Sequence, residues 1–260
     1  GIGEATARAL ARSGFLSFGT VRRPADAARL EAAGVVPVLM DVTDDASVAR
    51  AREEVEARLA GRPFVALVNN AGITAVGPLE LLPLEEVRRV LEVNLLGAVA
   101  VTQRFLPLLR AARGRIVNVS SVNGIVAPPF LAPYAASKFG LEGLSDSLRR
   151  ELLGTGVDVV VVQPGTVRTP IWEKAERADY ERFRGTVYER ALERFARFAL
   201  AGLRHALEPD DVARAILRAL LARRPPTRIL ITPGGRLRTR LLASLPDRWL
   251  DRIIARRLGW

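Results

Sequence analysis

"VDVVVVQPG", Val157 to Gly165, decides the fold. Its run of valines leaves no polar face, as a strand covered on both sides requires. Outward from it, "FLSFGTV" (15–21), "VVPVLM" (35–40), "FVALV" (64–68), "RIVNVS" (115–120) and "RILIT" (228–232) read the same way. Amphipathic segments of helical length lie between them, at 3–13, 25–33, 45–60, 84–112, 134–153 and 209–223. Strand-then-helix order repeated along a chain predicts an α/β fold: one doubly wound, Rossmann-type parallel sheet with right-handed crossovers. Residues 1–232 read as a single domain. Two stretches break the alternation. The first is an aromatic-rich insertion, 165–208, holding Trp172, Tyr180, Phe183, Tyr188, Phe195 and Phe198. The second is a tail, 233–260.

Composition removes several kinds of chemistry. With no cysteine, disulfides, thiolate metal sites and Cys nucleophiles are excluded. A single histidine, His205, rules out a two-His metal site and reads as structural or solvated. No uninterrupted apolar run of about 18 residues suggests a transmembrane helix, and "GIGEATARAL" has neither the basic nor the apolar region of a signal peptide. A cytoplasmic protein is expected. The net charge of +11 raises nucleic acid as a partner. However, from Ala222 onward ten arginines face only Asp247 and Asp251, so +8 of that charge sits at the end of the chain. Nucleic acid is therefore not expected to bind the body.

In an open parallel sheet, ligands sit beyond the carboxyl ends of the strands. Four of the five asparagines, Asn69, Asn70, Asn118 and Asn123, lie at or just after two such ends. Turn formation explains "NNAG" (69–72) alone but not the set. Gly1 and Gly3 open the first helix, where glycine lets a pyrophosphate approach the backbone amides. A dinucleotide fold needs a strand ahead of that turn, central in the sheet, so roughly a dozen further residues are expected before Gly1.

"GIG" (1–3), "NNAG" (69–72), Ser121, "YAASK" (134–138) and "PG" (164–165) follow one another in order, with Ser121 thirteen residues before Tyr134. In these motifs the chain resembles the short-chain dehydrogenase/reductase family, of the retinol or hydroxysteroid dehydrogenase kind, from residue 1 to about 232. The resemblance implies a nicotinamide-dependent alcohol/carbonyl oxidoreductase with Asn94, Ser121, Tyr134 and Lys138 as its catalytic set. It implies a cofactor groove formed by Gly1, Ile2, Gly3, Arg22, Arg23, Asp41, Val42, Asn70, Ala71, Gly72, Tyr134, Lys138, Pro164, Gly165, Val167 and Thr169. It also implies a homodimer or homotetramer. In this reading Asn94 holds a water that relays protons to Lys138, although a helix kink explains an interior Asn equally well. Asp41 contacts adenine, or caps the helix at 45–60. No metal is expected.

The residue types suit the reaction. A free tyrosine titrates near ~10, too high for a base at neutral pH. Lys138 shares a helical face with Tyr134, and a nearby cation lowers the phenol's pKa. Only two lysines, Lys138 and Lys174, stand among 39 basic residues, so an amine at 138 is not a habit of composition. Ser121 can donate to the developing oxyanion. "GTVRRP" ends its strand with Arg22 and Arg23 and has no acid until Asp26, which favours NADP over NAD. The insertion is expected to be a substrate lid over an apolar pocket for a lipophilic alcohol or ketone. A 3-oxoacyl-thioester reductase and a non-catalytic NADP-binding regulator are the alternatives. "LPDRWLDRIIARRLGW" reads as a basic amphipathic helix that packs on its own domain or a partner subunit, or rests on an anionic membrane.

Overall fold

The computed structural model describes residues 1–171, 180–233 and 235–260. Trp172 and Lys174 lie outside the described residues. Six parallel strands form: β1 (Phe18–Val21), β2 (Val36–Leu39), β3 (Ala66–Asn69), β4 (Arg115–Val119), β5 (Asp158–Pro164) and β6 (Arg228–Ile231). Helices α1 (Ile2–Arg12), α2 (Ala27–Glu31), α3 (Asp45–Leu59), α4 (Leu84–Leu91), α5 (Gly97–Ala112), α6 (Ala132–Glu151), α7 (Glu189–Gly202) and α8 (Pro209–Leu221) follow in turn. Two more, α9 (Arg236–Ala243) and α10 (Asp247–Leu258), form the tail.

The expected sheet is present in two pieces. β1 pairs with β2, and β3–β4–β5–β6 pair in that order, all in parallel. The division falls where the doubly wound order places a strand ahead of Gly1. Helix α1 ties the halves together. Its Ile2 packs with Val68 and Val117 of the four-stranded sheet, and its Ala7 packs with Leu30 and Val35 beside β1. On the other side, one core joins Val38 of β2 to Leu67, Ile116 and Val159 through Val55 of α3 and Phe105 and Leu109 of α5. This is why β5 carries valine on both faces: Val159 enters that core, and Val160 and Val162 enter the core under α1 and α8.

Local chemistry sets the helix ends. The Asp44 side chain accepts from Ala46 N at the start of α3. Glu208 and Asp211 form a capping box before Pro209 in α8. The expected helix at 84–112 is continuous but carries a π turn at Glu92–Leu96. Contrary to the run-length reading, its 29 residues are long and apolar enough by composition to cross a bilayer. The earlier criterion required an unbroken apolar run, whereas scattered charges still leave the helix apolar on average. Here Val101, Phe105 and Leu109 of this helix face the protein core.

Leu109 is fully buried, and Leu153 is 73% exposed. Leu109→Ala should lower unfolding stability by about 2–5 kcal/mol. Leu153→Ala should stay within about 0.5 kcal/mol. Urea denaturation of both variants checks the assignment of the core.

Candidate active site

Helix α6 seats the two central groups. Tyr134 is half-buried near its start, and Lys138, one turn later, is 4% exposed. Lys138 Nζ donates to the Val119 carbonyl at the end of β4 at 2.9 Å and lies 5.7 Å from the Tyr134 ring centroid. One of its three N–H groups is thereby used. Burial draws the ammonium down to about 8, against the opposing charge of Glu142. Ser121 follows β4 close to Tyr134, where its side chain acts to lower the phenol's pKa, and its Oγ accepts from Asn123 N at 3.1 Å. Adjacent Ser120 is buried, and its Oγ has no protein partner among the described residues.

One expectation needs correction. Lys138 was expected to lower the tyrosine's pKa, but Tyr134 lies above its ordinary value because burial outweighs the lowering by Ser121. The ammonium is directed at Val119 O, so its charge does not offset the desolvation of the phenol.

Asn94 lies in the π turn and is 1% exposed. Its Oδ1 accepts from Ile73 N at 2.8 Å, and its Nδ2 donates to Ile73 O and to Ser137 Oγ, both at 2.9 Å. Both amide hydrogens are spent on protein, so the side chain joins the loop after β3 to α6. The π turn displaces Asn94 from the regular helical path into this bridging position. Ile73 and Ser137 were not legible as partners. Their only signal was a polar residue inside a helix, awaiting an acceptor and a donor.

The cofactor candidates converge at the strand ends. A Cβ on Gly3 would stand 2.6 Å from Asn70 Nδ2, so only glycine allows α1 to approach that loop. A Cβ on Gly72 would lie 3.6 Å from Asn94 Oδ1 and 3.8 Å from Lys138 Nζ. Ala71 stands between Asn70 and Gly72. One on Gly1 would meet Thr169 and Pro170. The start of α1, the loop after β3, the segment after β5 and Lys138 therefore lie side by side, and of these glycines Gly3 makes the contact that no side chain could replace. Pro164 ends β5, and Gly165 N donates to Ile231 O at 2.7 Å.

Five candidates do other work. The side chains of Ile2 and Val167 sit in the core under α1 and α8, leaving only their backbones for the groove. Asp41 is not the helix cap, which is Asp44; its Oδ1 accepts from Thr43 N and Thr43 Oγ1 at 3.0 and 2.7 Å. These bonds hold the Asp41 carboxyl below its usual range. Val42 packs against Gly97 at the start of α5. Arg23 is bound by Asp26 at 2.9 and 3.2 Å, whereas Arg22 has no ion pair among the described residues. Asn69 and Asn118 are absorbed into a buried chain with Thr102 and Ser145. His205 is exposed.

The aromatic insertion also reads differently in three dimensions. Phe183, Tyr180, Tyr188 and Phe195 cluster with Val76, Leu82 and Phe130, packing the insertion onto the body, and Tyr180 and Phe183 also line a cavity of about 360 Å³ with Arg184, Leu192 and Arg197. Gly77, at φ 156°, makes room for Phe183. The tail closes over them: Leu258 and Ile254 of α10 join this cluster, and the Trp260 ring stands edge-on to Phe130 at 5.9 Å.

The depressed Lys138 predicts a cost in stability. An ammonium is disfavoured in the folded state from its unfolded value near ~10.4 down to about 8. Lys138→Met should stabilise the protein at pH 7 by about 1–3 kcal/mol. That difference should be complete below pH 8 and vanish as the pH rises through ~10.4. Denaturation of both proteins across this range is the measurement.

Comparison with known proteins places these features in a family. A family model described as short chain dehydrogenase matches residues 1–179. The NADPH-dependent 3-dehydrocapnine reductase of Ornithobacterium rhinotracheale is 33% identical over 261 residues, covering 97% of this chain and 92% of that protein. Retinol dehydrogenase 5 of Homo sapiens is 34% identical over 253 residues, covering 90% of this chain and 77% of that protein. The crystal structure of a short-chain dehydrogenase from Streptomyces avermitilis superposes with a TM-score of 0.77 at 29% identity, covering 100% of this chain and 92% of the other. Ordered motifs, parallel architecture and relatives agree, and the chain belongs to the short-chain dehydrogenase/reductase family of NAD(P)-dependent oxidoreductases.

Proposed function

We propose that the protein interconverts a lipophilic alcohol and its carbonyl with NADP(H), using Tyr134 as acid and base. The observation that carries this reading is the convergence of Tyr134, Ser121 and a buried Lys138 beside the glycine-lined groove. The dinucleotide, when bound, supplies or accepts the hydride. The protein's own part is orientation and the proton. In oxidation, Tyr134 Oη takes the alcohol proton; in reduction it gives one to the carbonyl oxygen. Ser121 Oγ is placed to donate to that same oxygen as charge develops. The two remaining Lys138 N–H groups are available to ribose hydroxyls. Asn94 holds the loop carrying Gly72 in register with α6 and acts as a positioning residue.

NADP is favoured by Arg22. It follows β1, it is not engaged in an ion pair, and it shares the Asp41 region where the adenosine end would lie. The relative whose name specifies NADPH supports the same choice. Arg23, held by Asp26, contributes less than the sequence suggested. For the substrate, support comes from the apolar cluster beside the 122–131 loop and from the retinol dehydrogenase relative. Within this reading, residues 1–232 form the catalytic unit and 233–260 brace its lid. Exposed Leu84, Leu96 and Phe139 on adjoining α4, π turn and α6 support a subunit interface.

A carbonyl and alcohol panel with both cofactors tests the proposal. Tyr134→Phe should abolish turnover, and Lys138→Arg should lose most of it, because a planar fork cannot replace a compact amine. Arg22→Ser should lower kcat/KM for NADPH about tenfold or more while sparing NADH. Turnover of small polar polyols with none of hydrophobic ketones would reject the substrate class.

A second reading of the tail rests on exposed Leu237, Leu241 and Trp249 beside Arg240, Arg248 and Arg252. Such a surface suits an anionic membrane. Co-sedimentation with anionic vesicles that disappears on removal of 236–260 is the expected result if the tail docks there.

A further inference from the structure

The spacing that sets Lys138 one turn after Tyr134 continues along α6. Glu142 comes next and Asp146 after it, each four residues on, so all four residues share one helical face. Glu142 is a carboxylate only 8% exposed, and the hydride-transfer chemistry makes no direct use of it. Its two oxygens are held from two different strands. Gln163 of β5, itself 4% exposed, donates Nε2 to Oε1 at 3.0 Å. Arg228 of β6 donates Nε to Oε2 at 3.0 Å and reaches Asp146 with its NH2 group, also at 3.0 Å. Gly124 leaves room for this packing, since a Cβ there would stand 3.2 Å from Glu142 Cγ.

We propose that Glu142 is a positioning residue for the reaction: fixed by Gln163 and Arg228, it supplies the counter-charge that keeps the buried Lys138 an ammonium beside Tyr134. An unpaired charge in such a place is expensive and tends to neutralise. Lys138 has one neutral acceptor, the Val119 carbonyl, and otherwise faces Tyr134 and Glu142 on its own helix. Across Gly72, the π turn presents the neutral Asn94, and the Glu92 of that turn is exposed. The acids of α4 are engaged elsewhere, Glu85 with Arg88 and Glu86 with Arg182. The turn Val122–Gly124 carries no titratable group. Around Glu142 the charged neighbours are Lys138, Asp146 and Arg228, and Asp146 is further shared with Arg149 and Arg150. Arg228 therefore competes with Lys138 for the same carboxylate. The two cations load Glu142 in opposite senses with respect to the reaction.

That opposition separates a positioning role from a structural one. Glu142→Gln and Arg228→Gln break the same bond between α6 and β6. If the bond is only a staple, both variants lose thermal stability and the pH dependence stays put. Under the proposal the pH dependence moves, and in opposite directions. The measurement is kcat/KM for alcohol oxidation against pH with NADP, in the full chain. Glu142→Gln weakens the ammonium and should shift the alkaline limb, where Lys138 loses its proton, downward by about one unit, a tenfold loss of rate above it. Arg228→Gln frees the carboxylate for Lys138 and should shift that limb upward by less. Limbs that coincide with the wild type, or that move the same way, overturn the proposal. If Glu142→Gln does not fold, the direction of the Arg228→Gln limb decides. The inference rests on Tyr134 as the acid/base group, and Tyr134→Phe separates the two claims. Retained turnover in that variant removes the reaction reading itself, whereas its loss together with an unmoved Glu142→Gln limb removes only the role of Glu142.

Discussion

Lys138 carries a primary amine at 4% exposure one helical turn from Tyr134, and much of the surrounding structure answers to that burial. A desolvated ammonium needs an acceptor, a counter-charge and walls that do not yield. The acceptor is the Val119 carbonyl, available because β4 ends there. The walls are α6 itself, the loop after β3 and the π turn. The counter-charge comes from the next turn of the same helix. A group that destabilises the fold at neutral pH is thereby retained where the chemistry requires an amine.

The same logic explains the polar residues buried nearby. Asn94 interrupts a long apolar helix, opens a π turn and satisfies Ile73 and Ser137 at once. Ser137 in turn donates to the Tyr134 carbonyl at 2.7 Å, so the first turn of α6 is tied to the loop that holds Gly72. Asn69, Asn118, Thr102 and Ser145 form a second connected chain beneath the sheet ends. Local rules of helix and strand formation are broken mainly where side chains must be held at fixed positions, which is where functional sites are expected to depart from them.

Above the sheet, the architecture depends on aromatic packing. Phe130, in a left-handed backbone conformation at φ 65°, gathers Tyr188 and Phe195 of the lid segment and Trp260 of the tail around one ring. The carbonyl of Phe130 accepts from Gly77 N at 2.9 Å, which fixes the loop carrying it. Lid, tail and body thus share one apolar cluster. The aromatic content of the insertion tells more about how the lid is attached than about what passes beneath it.

How much of this was legible follows from the range of each signal. Apolar runs and helical spacing are local, so the strands, the helices and the pairing of Tyr134 with Lys138 could be read directly. So could the exposed His205. The split between β1 and β3 was not readable from local pattern, and the separation of Arg22 from Arg23 needed the Asp26 contact. The partners of Asn94, the packing of the lid aromatics and the bracing of Glu142 by Gln163 and Arg228 were not readable. They join residues from 21 to 86 positions apart, or more, and no periodicity connects such positions. By itself the sequence determined that Tyr134 and Lys138 stand one turn apart on a helix, because that spacing is a local property. Only the tertiary structure decided which charges and hydrogen bonds set their strength, because those depend on which strands lie beneath that helix.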